Sequence, residues 1–326
     1  MTERQRFIKA LRREPMEGHC PTFELEFFLT LEALGRIHPS QKNLSKWDQM
    51  TTQEKDLHIA YDAETYIKIA EKYDHSAIFM DLPTSQLEDP DAFDKTVRLF
   101  EAIREKSGDQ YFLMLEGDPT FPMPDGNNMM AFSERMYEDE EGLKKDAERR
   151  LSLRLKVAEK LAKIDGLIDG FMMASDYCFN VNPFFSPAMF ETYIAPYLSR
   201  AIDAYRDMGF YTIKHTDGNI MPILDQIVDC KPDALHSLDP QAGVSLSEVK
   251  RLYGDRLTLC GNVNCGLLQT GTDEQVIADI RRSLKEGMDG FGYIFCTSNC
   301  VYTGMPLERY EQMHRIWREE GIYGIH

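Results

Sequence analysis

Eight short apolar runs, each closed by turn residues and separated by stretches of helical period, constrain this 326-residue chain more than any other feature. They are CPTFELEF (20–27), SAIFMDL (76–82), YFLMLEG (111–117), DGFMMASDY (169–177), FYTIKHTD (210–217), ALHSLD (234–239), LTLCGNV (257–263) and GYIFCTS (292–298). The intervening 91–107 places Phe93, Val97, Leu99, Phe100 and Ile103 on one helical stripe. A short helix and then a longer one are predicted over 133–164, with further helices over 187–208, 219–230, 245–253, 273–287 and 306–319. Ser245 and Asp273 mark two starts and Gly254 an end. Strands alternating with helices imply right-handed crossovers and a mostly parallel sheet. Eight such units in this length predict an α/β fold, a closed (β/α)8 TIM barrel, as one domain over 1–326. An open doubly wound sheet would carry a glycine fingerprint after an early strand, and none is present. The longest irregular stretch, 118–132, is a candidate substrate lid.

Composition narrows the function classes. No run approaches the ~20 apolar residues that span a bilayer, and the opening MTERQRFIKALRREP is too charged for a secretory signal. The net charge of −17 repels a phosphate backbone and an anionic membrane face. Seven cysteines, an odd number without a signal peptide, argue for a reducing compartment, and a cytoplasmic location is expected. Cys20, Cys178, Cys230 and Cys265 read as ordinary small core or half-buried residues.

A parallel barrel builds its site at the C-terminal ends of its strands. Those ends carry Glu26, Asp81, Glu116 with Asp118, and Asp176 with Tyr177. The second half adds His215 with Asp217, Asp239, Cys260, and the pair Cys296 and Cys300. Imidazole, thiolate and carboxylate suit tetrahedral zinc, so His215, Cys260 and Cys300, with Asp239 as a fourth, are the candidate metal ligands. Cys296 and Cys300, spaced C-x3-C, could supply two ligands if their loop curls back. Cys260 and Cys296 read equally as core fillers, and Asp118, Asp217 and Asp239 as turn caps. His236 reads as a core histidine; His19, His38, His58, His75, His314 and His326 read as surface or loop residues. Phe23, Met80, Met129, Met130 and Phe179 form an apolar set suited to a flat ligand.

Five stretches resemble the uroporphyrinogen decarboxylase superfamily. They are RQRFIKALRREPMEGHCP, NPFFSPAMFETYIAPYLSRAIDAYRDMG, IKHTDGNIMPIL, LHSLDPQAGVSLSEVKRLYGDRLTLCGNVN and TSNCVYTGMPLERYEQMHR. The resemblance covers nearly the whole chain and implies a (β/α)8 barrel. In the decarboxylases an arginine-bearing motif follows the first strand; here the stretch is EALGRI, with Glu32 in place of the first arginine and only Arg36 kept. Asp81 matches the aspartate that binds pyrrole nitrogens, and Asn299 stands where a GHG-type histidine is found. An unpaired Glu32 would repel substrate carboxylates. The other branch, zinc-dependent methyltransferases that exchange methyl groups with corrinoid proteins, carries H-x-C after the fifth strand and a late cysteine. Here His215 is kept, Asp217 replaces the cysteine, Cys300 is close to the late one, and Cys260 could supply the missing thiolate.

The resemblance therefore implies a Zn²⁺-dependent methyltransferase that exchanges a methyl group between a methyl ether or thiol and a corrinoid (cobalamin) carried by a partner protein. Asp81, Asp176, Tyr177 and Asp217 would do the catalytic work, and Glu26, Arg36, Glu116, Phe179 and Asn299 would bind substrate. A homodimer is compatible with this. The alternatives are a decarboxylase-like lyase acting on a tetrapyrrole or other carboxylated substrate, and a non-catalytic barrel that binds a corrinoid or tetrapyrrole.

Overall fold

A computed structural model describes residues 1–42, 44 and 46–324; His326 lies outside the described residues. Seven strands form one parallel sheet in sequence order: Ala77–Met80, Phe112–Glu116, Gly170–Ala174, Tyr211–Thr216, Ala234–Ser237, Thr258–Cys260 and Tyr293–Ile294. The 20–27 segment closes the cylinder without forming a regular strand. On one side Phe295 N donates to Pro21 O at 2.8 Å and Val301 N to Glu26 O at 2.8 Å; on the other, Ser76 N donates to Thr22 O at 2.6 Å. Pro21 has no N–H to give a ladder, which is one reason this edge pairs only by single bridges at Thr22 and Phe27. The eight staves, numbered here in chain order from the 20–27 segment, are the predicted TIM barrel.

The helices follow their caps. Ser245 caps Leu246–Tyr253, whereas Thr272, one residue before the predicted start, caps Asp273–Met288 through a reciprocal bond with Gln275. The apolar-run argument does not place the 22-residue helix Thr52–Tyr73, although Thr51 and Glu54 form the same capping box there. Its buried Ile59, Ala63, Ile67 and Ala70 recur at helical spacing and face the barrel. The 133–164 stretch begins earlier than predicted and splits into Met129–Glu138 and Glu140–Leu161 at Asp139. Among the described residues no helix is long and apolar enough to cross a membrane.

One end of the cylinder is plugged. Helix Glu3–Leu11 sets fully buried Phe7 between Phe112, at 4.7 Å between ring centroids, and Phe23, at 5.7 Å. Burying such a ring contributes roughly 1.5–3 kcal/mol. Arg4 ties the plug to Asp169 at the start of stave four. The opposite end, where the strands terminate, is the one left open to a site.

The seam between staves one and eight is polar. Glu24 accepts from Thr297 Oγ1 at 2.5 Å, and burial pushes its carboxyl up to about 8. The folded chain therefore holds a proton there that the unfolded chain releases near its ordinary carboxylate range. Stability contributed by this group falls as pH rises from about 4.5 to about 8. Glu24→Gln is predicted to flatten that fall by an amount on the order of a kcal/mol or more in urea melts across pH 5–8. An unchanged pH profile would contradict the assignment.

Candidate functional site

The tightest cluster of ligating side chains among the described residues comes from staves four and five. Stave five ends in His-Thr-Asp-Gly, and Gly218 turns the chain at a φ of +82°; a Cβ there would lie 2.5 Å from Cys178 O. That close approach lets Asn219 N donate to Phe179 O at 2.9 Å, fastening the stave-five loop to the stave-four loop. Asp217 N donates to Asp176 Oδ1 at 2.9 Å, and Tyr177 N to Thr216 Oγ1 at 3.1 Å. Asp176, His215 and Asp217 thus offer atoms that all lie within 4.8 Å of one another. His215 Nε2 stands 3.5 Å from Asp176 Oδ1 and 3.8 Å from Asp217 Oδ1.

A second layer orients these groups. His215 Nδ1 and His236 Nδ1 are 2.7 Å apart, so one ring carries its proton on that nitrogen and the other accepts it. Burial, then the neighbouring His215 ring, drives the His236 pKa far down and keeps that ring neutral. With His215 as donor, its Nε2 turns a lone pair toward the two carboxylates, the arrangement a metal-binding histidine requires. Ser237 Oγ donates to Asp217 Oδ1 at 2.6 Å, and Asn299 Nδ2 donates to Oδ2. Burial raises the Asp217 carboxyl, His215 opposes that rise, and Asp176 adds to it.

The other half of the mouth is a cavity of about 480 Å³ reaching Glu26, Asp81, Glu116, Asp118, Arg150 and Arg154. Burial holds Glu116 at about 7 and Glu26 at about 8, the nearby Asp81 charge adding to the latter. His38, pressed down to about 4 by burial, has its Nε2 3.3 Å from Glu26 Oε2; burial keeps both groups neutral near pH 7, so the contact is not an ion pair. Asp118 behaves oppositely. Burial would raise its pKa, but the Lys214 ammonium, 2.7 Å from Oδ2, holds it below the ordinary range. Lys214 also donates to Met173 O and Ser175 O and sits over the Tyr177 ring.

Several expected site residues are placed elsewhere. Tyr177 is fully buried, bonded to Thr120 and stacked on Lys214, so it supports the loops and does not reach a substrate. Arg36 is spent on Thr65 Oγ1, Tyr61 O and the Tyr61 ring, pinning helix Thr52–Tyr73. Asp239 caps the Pro240–Ala242 turn through Gln241 N, and Cys260 is sealed in the core, where burial alone raises its thiol pKa. Neither joins the ligand cluster. Cys296 is sealed too, whereas Cys300 is half-buried and feels the Glu26 and Asp217 charges.

Asp81, Asp176, Asp217, Glu26, Glu116 and Asn299 do face the mouth or its cluster, and Phe179 is exposed on the rim. Phe23 and Met80 are buried, while Met129 and Met130 sit at the helix start after the 118–128 loop. The first part of that loop is tucked in, with Asp118, Thr120 and Phe121 buried and Met123 N bonded to Asp176 O. His38, His75 and His314 are buried, the first two in loops and His314 in a helix, so none of the three is a surface residue.

Lys214 was not among the residues selected by strand-end reading. Its signal is a lysine inside an apolar strand, a position that demands a buried anion. Lys214→Met is predicted to cost about 3–5 kcal/mol in urea unfolding, because Asp118 is left charged and unpaired. Pairing it with Asp118→Asn should recover much of that loss; an equal loss in single and double variants would contradict the pairing.

Residues 171–320 match the family model for uroporphyrinogen decarboxylase (URO-D). A methyltransferase from Methanosarcina mazei has a similar structure, with a TM-score of 0.73 at 16% identity over 98% of this chain and 99% of that one. A putative vitamin-B12 independent methionine synthase from Listeria monocytogenes aligns with a TM-score of 0.52 at 12% identity, over 93% and 96% of the two chains. At those identities the likeness is one of fold. No curated protein matches the chain.

Proposed function

We propose that the chain, whose residues 171–320 match the uroporphyrinogen decarboxylase family model, is a metal-dependent methyltransferase of that superfamily, moving a methyl group between a small substrate and a corrinoid borne by a partner protein. The observation that carries the reading is the convergence of one imidazole and two carboxylates, with the imidazole set by a second histidine. That donor set fits a divalent cation, and zinc is the ion proposed. Asp176, His215 and Asp217 would hold it; Cys300, expected as a ligand, lies outside the group of atoms within 4.8 Å of one another, although its thiol feels the Asp217 charge. Cys260 and Asp239 are withdrawn from the ligand set. When bound, the ion supplies Lewis acidity at the substrate heteroatom.

The chain's own residues have separable tasks. Asn299 and Ser237 fix both oxygens of Asp217, so its carboxylate cannot rotate away from His215. The 118–121 segment packs beside stave four and narrows the mouth, restricting water at the reacting centre. Glu26, protonated near neutral pH, can hand a proton to the heteroatom that loses its methyl group. Phe179, Val181, Met130 and Tyr137 are exposed apolar side chains that would offer contacts to the partner. The whole chain is taken as one barrel unit. The tetrapyrrole lyase is disfavoured because Arg36 is held away from the mouth and Glu32 is exposed.

Metal analysis of protein purified without chelators should give near one zinc per chain. His215→Ala with Asp217→Asn should remove it, and Cys260→Ser should leave it in place. Methyl transfer from a methoxylated aromatic to reduced cobalamin, followed by visible absorbance, should fall at least about 100-fold in the double variant. Undiminished metal in the double variant, or full loss in Cys260→Ser, would contradict the ligand set.

A further inference from the structure

Two guanidiniums lie side by side in the wall of the mouth cavity, and they are used differently. Arg154 is spent: its nitrogens donate to the Asp118, Leu82 and Glu116 carbonyls, to Thr84 Oγ1 and to Glu116 Oε1. Arg150 makes only two bonds, Nε to Pro119 O at 2.9 Å and Nη2 to Thr120 O at 2.7 Å. Among the described residues its Nη1 has no hydrogen-bond acceptor, and no carboxylate lies within ion-pair distance. A guanidinium carries five donors in a rigid fork. More than half of that fork is therefore unused, in a cavity wall where Phe121 covers one face of the group.

The surrounding charge does not cancel it. Asp118 is neutralised by Lys214, at 2.7 Å. Glu116, the carboxyl beside Arg154, is pushed up to about 7 by burial, and Glu26 to about 8. Burial and the adjacent Arg154 both work against the Arg150 charge. Asp81 is the remaining carboxylate on this wall, so two guanidiniums still leave a surplus of positive charge there, in a protein whose net charge is −17. The cavity, about 480 Å³, has room for a single ring with substituents and runs on to Ala174 and Ser175, which lead directly into Asp176.

We propose that this cavity binds a substrate bearing a carboxylate, held by the free edge of Arg150 and directed so that the rest of the molecule extends toward Asp176 and His215. The inference rests on the methyltransferase reading for the identity of the remainder, a methoxylated ring, but the anion site itself does not. A planar monoanion fits better than a phosphate dianion, because the fork matches two coplanar oxygens while Asp81 on the same wall opposes further negative charge. Arg154 supplies a fixed positive field and no open donor.

Calorimetric titration of the purified chain, without corrinoid, with 3-methoxybenzoate and with 3-methoxybenzamide provides the test. The acid should bind at least about tenfold more tightly than the amide, as a charge-assisted bond predicts. Arg150→Gln should reduce the ratio to below about threefold and Arg150→Lys should leave an intermediate ratio, while Arg149→Gln, at an exposed pair with Glu88, should leave it unchanged. Equal affinities in the unaltered chain, no binding of the acid at millimolar concentration, or tighter binding of inorganic phosphate would each overturn the proposal without any variant. An undiminished ratio in folded Arg150→Gln would do the same. The readout needs no methyl transfer, so a chain that binds the acid but transfers nothing defeats the methyltransferase reading and spares this one.

Discussion

Lys214 and Asp118 form an ion pair with almost no solvent exposure, and the geometry of the mouth depends on it. Placing two charges out of water is expensive unless their remaining donors and acceptors are satisfied. Here they are: Lys214 reaches two carbonyls of the stave-four end, and Asp118 takes the backbone and hydroxyl of Thr120. Three consecutive stave ends are thereby locked at one height. His215 is the next residue after Lys214 and points the other way, into the cylinder, where it meets His236. The alternation of a strand thus lets one residue clamp the loops from outside while its neighbour presents a ligand inside. Asp176 follows directly from the carbonyl that Lys214 holds.

The protonation pattern of the mouth follows from the same enclosure. Asp118, with the Lys214 ammonium against it, stays ionised. Glu116, with Arg154 at the longer distance of 3.5 Å, is raised to about 7. Glu24 and Glu26, with no cation against them, are driven neutral by burial. Glu24 and Glu26 therefore add acid to the rim without adding negative charge. That leaves the two guanidiniums of helix Glu140–Leu161 as the dominant charge on one wall.

The barrel was legible because its staves are buried on both faces and read as continuous apolar runs. Stave one was legible as a run but not as an irregular one, since two single bridges to the stave-eight side and one hydrogen bond from Ser76 leave no periodic trace. Helix Thr52–Tyr73 escaped because its stripe of isoleucines and alanines is sparse, although the Thr51–Glu54 cap was readable. At the site, His215, Asp176, Asp217 and Asn299 could be found at strand ends. Their grouping could not, because it depends on the turn at Gly218 and the clasp between two loops. Cys260 misled for the opposite reason: it lies at a strand end like the others, but its side chain points into the sealed core. Lys214 leaves no trace in a strand-end pattern of acids, histidines and thiols because it is a cation, and Arg150 leaves none because it lies within helix Glu140–Leu161.

The account turns on which atoms surround the metal. X-ray absorption at the zinc edge of the purified chain measures this directly. A first shell dominated by nitrogen and oxygen at about 2.0–2.2 Å, with at most one sulfur near about 2.3 Å, is the predicted result. A shell with two or more sulfurs would contradict it, since only a site built on cysteines could supply them.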